Sequence, residues 1–200
     1  MTADHYFSAD PSAEQKNLPV SFDVAGKSFE LTSSSGTFSK GKLDAGTAVL
    51  LGLHEEFPVS GEVLDLGCGW GPIGIAIASL SPQTSVTAID VNRRSLELAN
   101  QNAKQLGLAN YRAVENSELA KDAKFDAIWS NPPIRIGKQQ LHGLLIWSLG
   151  MLSPTGSAFL VVQKQLGADS VQKWLQEIFP ERKVERVANS KGYRVLKVRC

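Results

Sequence analysis

At 200 residues, with 42% hydrophobic and 20% charged side chains, the chain can bury one well-formed core and is short for two. A formal charge of +1 excludes a strongly basic or acidic protein, and no apolar run approaches the roughly 20 residues that cross a bilayer. The two cysteines, Cys68 and Cys200, offer neither a disulfide framework nor a metal-ligand spacing, so no metal is expected.

Residues 1–17 are polar, with a stretch rich in Ser, Ala and Asp, and are expected to form a loosely held arm. The start, MTADHYFSAD, lacks a basic stretch followed by an apolar one; no signal peptide is expected, and the cytoplasm is the expected location. Val20, Phe22 and Val24 alternate with polar neighbours, Ala25-Gly26-Lys27 turns the chain, and Phe29 and Leu31 follow, which is a hairpin pattern. From Glu62 the pattern changes: EVLDL, SVTAI, YRAV, FDAIW and SAFLVV alternate with helical stretches. That alternation predicts an α/β domain, a parallel sheet with helices on both faces. One domain is expected over 18–200, with a hairpin and capping segment (18–60) ahead of the α/β core (61–200).

Two helices can be checked by spacing. Leu96, Ala99, Ala103 and Leu106 fall on one face before Gly107; Val171, Trp174, Leu175, Ile178 and Phe179 form another before Pro180. Both predict core faces without chemistry. Residues 193–199, after a turn at Lys191-Gly192, predict a final antiparallel strand. Residues 181–200 hold seven basic and two acidic side chains, a net +5, which reads equally as a solvated face or a phosphate-contacting surface.

The run VLDLGCGWGPIGIAIA, residues 63–78, predicts a strand, a tight glycine turn and a helix with Pro72 in its first turn. Gly69, Gly71 and Gly74 satisfy the dinucleotide spacing, and Asp90 closes the next strand about 20 residues on, where a ribose-binding acid belongs. Asp65 decides against a dinucleotide. A carboxylate beside the partly positive helix N-terminus repels a pyrophosphate, whereas a ligand with a nucleoside at one end and an ammonium at the other suits both acids. S-adenosyl-L-methionine is such a ligand. The alternative is that Asp65 only caps the turn.

FDAIW is followed by SNPPIRIGK, residues 130–138. In open α/β sheets the C-terminal end of a central parallel strand lies at the ligand crevice. Pro132 and Pro133 stiffen the backbone after the strand and donate no hydrogen bonds. The Pro132 carbonyl and the Asn131 amide oxygen then make two acceptors aimed at one point, which suits a planar NH2, with Ile134 packing on the flat face of the substrate. Accepting both N–H groups would hold the nitrogen in line with an electrophilic methyl group. The segment looks like the amine clamp of an N-methyltransferase; the alternative is an ordinary Asn-Pro turn that stops a strand.

With HYFS, GTFSKGKLDAGTAVLL, DLGCGWGPIGIAIA, SNPPIRIGK and KGYRVLKV, the chain resembles the class I S-adenosylmethionine-dependent methyltransferases with a small catalytic domain, and within them the ribosomal small-subunit RNA guanine-N2 enzymes. The resemblance implies a Rossmann-like seven-stranded sheet with an added N-terminal hairpin. It implies that Asp65, Gly67, Cys68, Gly69 and Gly71 line the methionine part of the cofactor, that Asp90 and Val91 hold its ribose side, and that Asn131, Pro132, Pro133 and Ile134 hold the target. Phe38, Asp44, Gly46 and Thr47 match a segment that closes over the cofactor and shapes the acceptor pocket. Where relatives have Asp for the adenine amino group, this chain offers Glu115 or Asn116. Better-known bacterial members carry a duplicate domain for which 200 residues leave no room. A lone domain would then recognise ribosomal RNA, or the small subunit, with its arm and basic tail; Arg135, Lys138 and Arg194 are the expected substrate contacts, and a monomer is expected.

A protein-glutamine N5 methyltransferase, or an adenine-N6 enzyme, needs the same clamp; those families carry Tyr where this chain has Ile134. A non-catalytic RNA-binding module is the reading from another class, and an NAD oxidoreductase is disfavoured by Asp65.

Overall fold

A computed structural model describes residues 17–34, 41–133 and 137–199. Phe38, Ile134, Arg135 and all of the expected arm but Asn17 lie outside the described residues. The chain opens with strands β1 (Asn17–Val24) and β2 (Lys27–Ser34), paired antiparallel with Val24 opposite Lys27. Ala25 and Gly26 both have positive φ, 52° and 76°, as a two-residue turn that matches strand twist requires. Asn17, expected in the arm, is the first residue of β1.

The remaining strands form one sheet: β3 (Ser60–Leu66), β4 (Gln83–Ile89), β5 (Tyr111–Val114), β6 (Phe125–Ser130), β7 (Leu152–Gln163), β8 (Lys183–Ser190) and β9 (Tyr193–Arg199). Their order is β5-β4-β3-β6-β7-β9-β8. Pairing is parallel through β7, and β9 runs antiparallel to both β7 and β8. The order reverses between β3 and β6, so the crevice for a ligand lies beyond the C-terminal ends of these two strands.

Helices α1 (Ala45–Leu51), α2 (Pro72–Leu80), α3 (Arg93–Gln105), α4 (Lys138–Leu149) and α5 (Ala168–Ile178) cover the sheet. One buried cluster joins Val63, Ala127, Trp129, Phe159 and Val161 to α1, α2, α3 and the hairpin. A second joins Leu64, Leu66, Ile128, Leu160 and Val162 to α4 and α5. Neighbouring residues of each central strand thus face opposite apolar layers, which explains why these strands read as continuous apolar runs.

The helical faces need correction at their ends. Leu96, Ala99 and Ala103 are buried, but Leu106 is 37% exposed because α3 stops at Gln105 and Leu106 is only its C-cap. In α5, Val171 and Leu175 are buried while Ile178, in the final turn, is exposed. Asn102, 1% exposed, was not foreseen. Its amide receives the Thr32 N–H and donates to the Thr32 carbonyl, both at 2.9 Å, and donates to the Trp70 carbonyl at 2.9 Å. One side chain therefore pins the hairpin to the glycine turn.

Candidate active site

The turn between β3 and α2 holds Gly67, Gly69 and Gly71 at φ of 72°, 56° and 91°, a left-handed run that side chains other than glycine resist. The N–H groups of Gly67 and Cys68 donate to the Ile89 carbonyl at 2.9 and 3.0 Å, binding the turn to the end of β4. Gly69 N–H donates to Asp90 Oδ2 at 2.9 Å, and Asp90 Oδ1 accepts from Asn92 N–H at 2.9 Å. Burial raises the Asp90 carboxyl above its usual range, against the pull of those backbone donors. Cys68 is buried with its thiol turned towards the Gly69 carbonyl, so its backbone rather than its side chain belongs to the turn's surface.

Asp65 does cap the helix: Oδ2 accepts from Gly74 N–H at 2.8 Å. That bond uses only half of the carboxylate, because Oδ1 is buried with no hydrogen-bond partner among the described residues. Burial pushes this carboxyl up to about 7; the Gly74 bond opposes the rise and the Asp90 charge adds to it. An orphaned acceptor beneath a turn where a side chain on Gly69 would meet nothing within 4 Å fits a ligand that is cationic near Asp65 and approaches the backbone closely.

The clamp segment meets this turn. Ser130 Oγ donates to the Leu66 carbonyl at 2.8 Å, and a side chain on Gly67 would lie 3.9 Å from Pro133 Cδ. Pro132 is buried and Asn131 half-buried. Asn131 Nδ2 donates to Asp44 Oδ2 at 2.7 Å and to Thr47 Oγ1 at 3.1 Å; its amide oxygen receives no bond from the described residues. Asp44 is the N-cap of α1 and accepts from Gly46 N–H at 2.8 Å and Thr47 N–H at 3.0 Å. The structure therefore brings Asp44, Gly46 and Thr47 to the clamp.

Beyond Asp90, Val91 is 58% exposed beside the end of β5, where Glu115 accepts from Arg93 at 2.8 Å and Asn116 is exposed. The basic tail is not the free strip that its composition implies. Arg182, Lys183, Arg186, Arg194, Lys197 and Arg199 pair with Glu181, Glu185, Asp169, Asp169, Glu56 and Glu185 respectively, so of its seven cations only Lys191 has no ion pair among the described residues. Lys138 opens α4 and is exposed. Lys164, which was not anticipated, is exposed at the end of β7, and its N–H donates to the Gly192 carbonyl at 2.8 Å, beside Lys191. Among the described residues no helix is long and apolar enough to cross a membrane, and no group of side chains could hold a metal ion.

Known proteins resemble this chain in sequence and fold. The chain is 38% identical over 200 residues to the uncharacterized protein YbxB of Bacillus subtilis, covering 98% of both. It is 35% identical over 140 residues to a ribosomal RNA small subunit methyltransferase C of Pseudomonas entomophila, covering 68% of this chain and 41% of that one. Among solved structures, the T. thermophilus 16S rRNA N2 methyltransferase RsmC, in complex with AdoMet and guanosine, superposes with a TM-score of 0.76 at 24% identity, covering 95% of this chain and 52% of that one. The chain spans about half, or less, of the length of the rRNA methyltransferases it matches. The family model of the methyltransferase small domain matches residues 28–197, and with the glycine turn, its two acids and the seven-stranded order in place, the chain belongs to this family of S-adenosylmethionine-dependent methyltransferases.

Proposed function

We propose that the protein transfers a methyl group to the exocyclic N2 amine of a guanine in small-subunit ribosomal RNA. The observation that carries this reading is the Asn131 amide: its nitrogen is engaged by Asp44 and Thr47, so its oxygen is the end left for a donor, beside the glycine turn. S-adenosylmethionine supplies an electrophilic methyl group when bound. Asp65, Gly67, Gly69 and Gly71 would hold its methionine end, Asp90 and Val91 its ribose side, and, since Glu115 is engaged by Arg93, Asn116 would meet its adenine. Asn131 Oδ1 and the Pro132 carbonyl accept the two N–H bonds of the target, orient its nitrogen lone pair, and stabilise the charge that develops there. No general base is assigned, since the nitrogen becomes more acidic as it is alkylated and its proton can leave afterwards.

The relatives' names support ribosomal RNA as the substrate and the cytoplasm as the site of action. The base must be unpaired or flipped to reach the crevice, at a cost of a few kcal/mol, offset by phosphate contacts from Lys138 and its neighbours. The test is incubation with labelled methyl donor and unmodified small subunits, then mass spectrometry of the nucleosides. N2-methylguanosine is the expected product; label only on adenine or on a protein glutamine rejects the guanine reading and keeps the clamp.

A further inference from the structure

We propose that Asp44 is a positioning residue for methyl transfer: it fixes which end of the Asn131 amide faces the acceptor. The inference rests on the amine-clamp reading above. The two ends of a carboxamide are nearly the same size but opposite in function, one donating two N–H bonds and the other accepting. A clamp for an amine works only with the oxygen inward. A carboxylate without a proton accepts only, so Asp44 Oδ2, 2.7 Å from Asn131 Nδ2, demands the nitrogen. Turning the amide over would set oxygen against carboxylate and forfeit a charge-assisted bond. The buried Thr47 Oγ1, 3.1 Å away, accepts a second N–H bond from the same nitrogen; a hydroxyl can also donate, so the choice between the two ends is made by Asp44.

Asp44 is itself held. Its Oδ2 takes the N–H groups of Gly46 and Thr47 at the start of α1. The start of α1 is seated on β9: a side chain on Gly46 would lie 2.9 Å from the Tyr193 ring. The order of control runs from the sheet to α1, from α1 to Asp44, and from Asp44 to Asn131, 87 residues away in sequence. The site is thereby set to meet amines and to turn away carbonyl oxygens, which offer no N–H.

Asp44→Ser separates this role from helix capping, since serine caps a helix about as well as aspartate but is too short to keep the Asn131 bond. The first readout needs neither cofactor nor RNA. In 1H–15N spectra the Asn131 side-chain NH2, assigned by its loss in Asn131→Ala, should exchange slowly in the parent protein and about tenfold or more faster in Asp44→Ser, as a lost charge-assisted bond implies. The second readout is a double-mutant cycle on turnover. Asp44→Ser should lower turnover about 10-fold or more at saturating S-adenosylmethionine, and should add nothing to the loss in Asn131→Ala. Thr47→Val, which leaves the Asp44 cap in place, should show the same pattern more weakly and serves if Asp44→Ser does not fold.

Unchanged Asn131 NH2 exchange in Asp44→Ser, or losses that add in the double variant, would each overturn the proposal. Should the parent protein methylate a glutamine amide instead of rRNA, the guanine reading fails, yet the same cycle run on that acceptor still decides the role of Asp44.

Discussion

At Asp65 the fold and the proposed cofactor site make opposite demands. Its carboxyl titrates near 3.8 in an ordinary setting and near 7 in the fold. Between those values the native state holds a proton that the unfolded chain has released, so stability falls as pH rises, and above about 7 the cost is constant. Asp65→Asn keeps an acceptor for Gly74 N–H and has no proton to lose. Urea unfolding should find it more stable than the parent at pH 8, by about 1–4 kcal/mol, with the difference fading towards pH 4. The ligand works the other way. A cation beside Asp65 favours its ionised form, so calorimetry should show S-adenosylmethionine binding tightening as pH rises towards 7 with uptake of a proton by the buffer, and weak, nearly pH-independent binding in Asp65→Asn.

At the scale of elements, α2 sits so close to β3 and β5 that it tolerates little bulk. A side chain on Gly74 would lie 2.8 Å from Tyr111 Cε2 and 2.9 Å from Asp65 Oδ2. Gly74→Ala should therefore destabilise the protein by about 1–3 kcal/mol despite the better helix propensity of alanine, which thermal unfolding would measure. This third glycine was legible in the sequence as part of a nucleotide-binding spacing, although its reason proves to be packing. The strands were legible because burial on both faces leaves unbroken apolar runs, and the end of β6 because Asn-Pro-Pro stops a strand. The Asp44–Asn131 bond and the Asn102 amide left no trace of this kind. They join single polar side chains across 87 and 70 residues, and one long-range contact has no period to read. Tail pairing was hidden for a related reason: composition counts cations, but the partners Glu56 and Asp169 lie outside the tail.

For the whole molecule, what matters is where charge is left uncompensated. Cations neutralised by adjacent carboxylates contribute little net field, so on the proposed RNA substrate the cations expected to matter nearest the crevice are Lys138, Lys164 and Lys191, which stand beyond the C-terminal ends of the parallel strands. Filter binding of small-subunit RNA against salt should show a shallow slope that falls by roughly one unit per lysine changed to alanine. Lys197→Ala and Arg199→Ala should leave the slope almost unchanged. The opposite ranking would return the contact surface to the C-terminal strand.

The Asn102 carboxamide gives the hairpin and the glycine turn a shared fate. Thr32 cannot part from Asn102 without disturbing the side chain that also holds the Trp70 carbonyl, so the two belong to one opening unit in hydrogen exchange. Linkage is reciprocal: a ligand that steadies the turn must slow deuterium uptake at Thr32, in a separate two-stranded sheet. Peptides spanning residues 17–34 should then report S-adenosylmethionine occupancy, and Asn102→Ala should silence that report while the turn itself still responds.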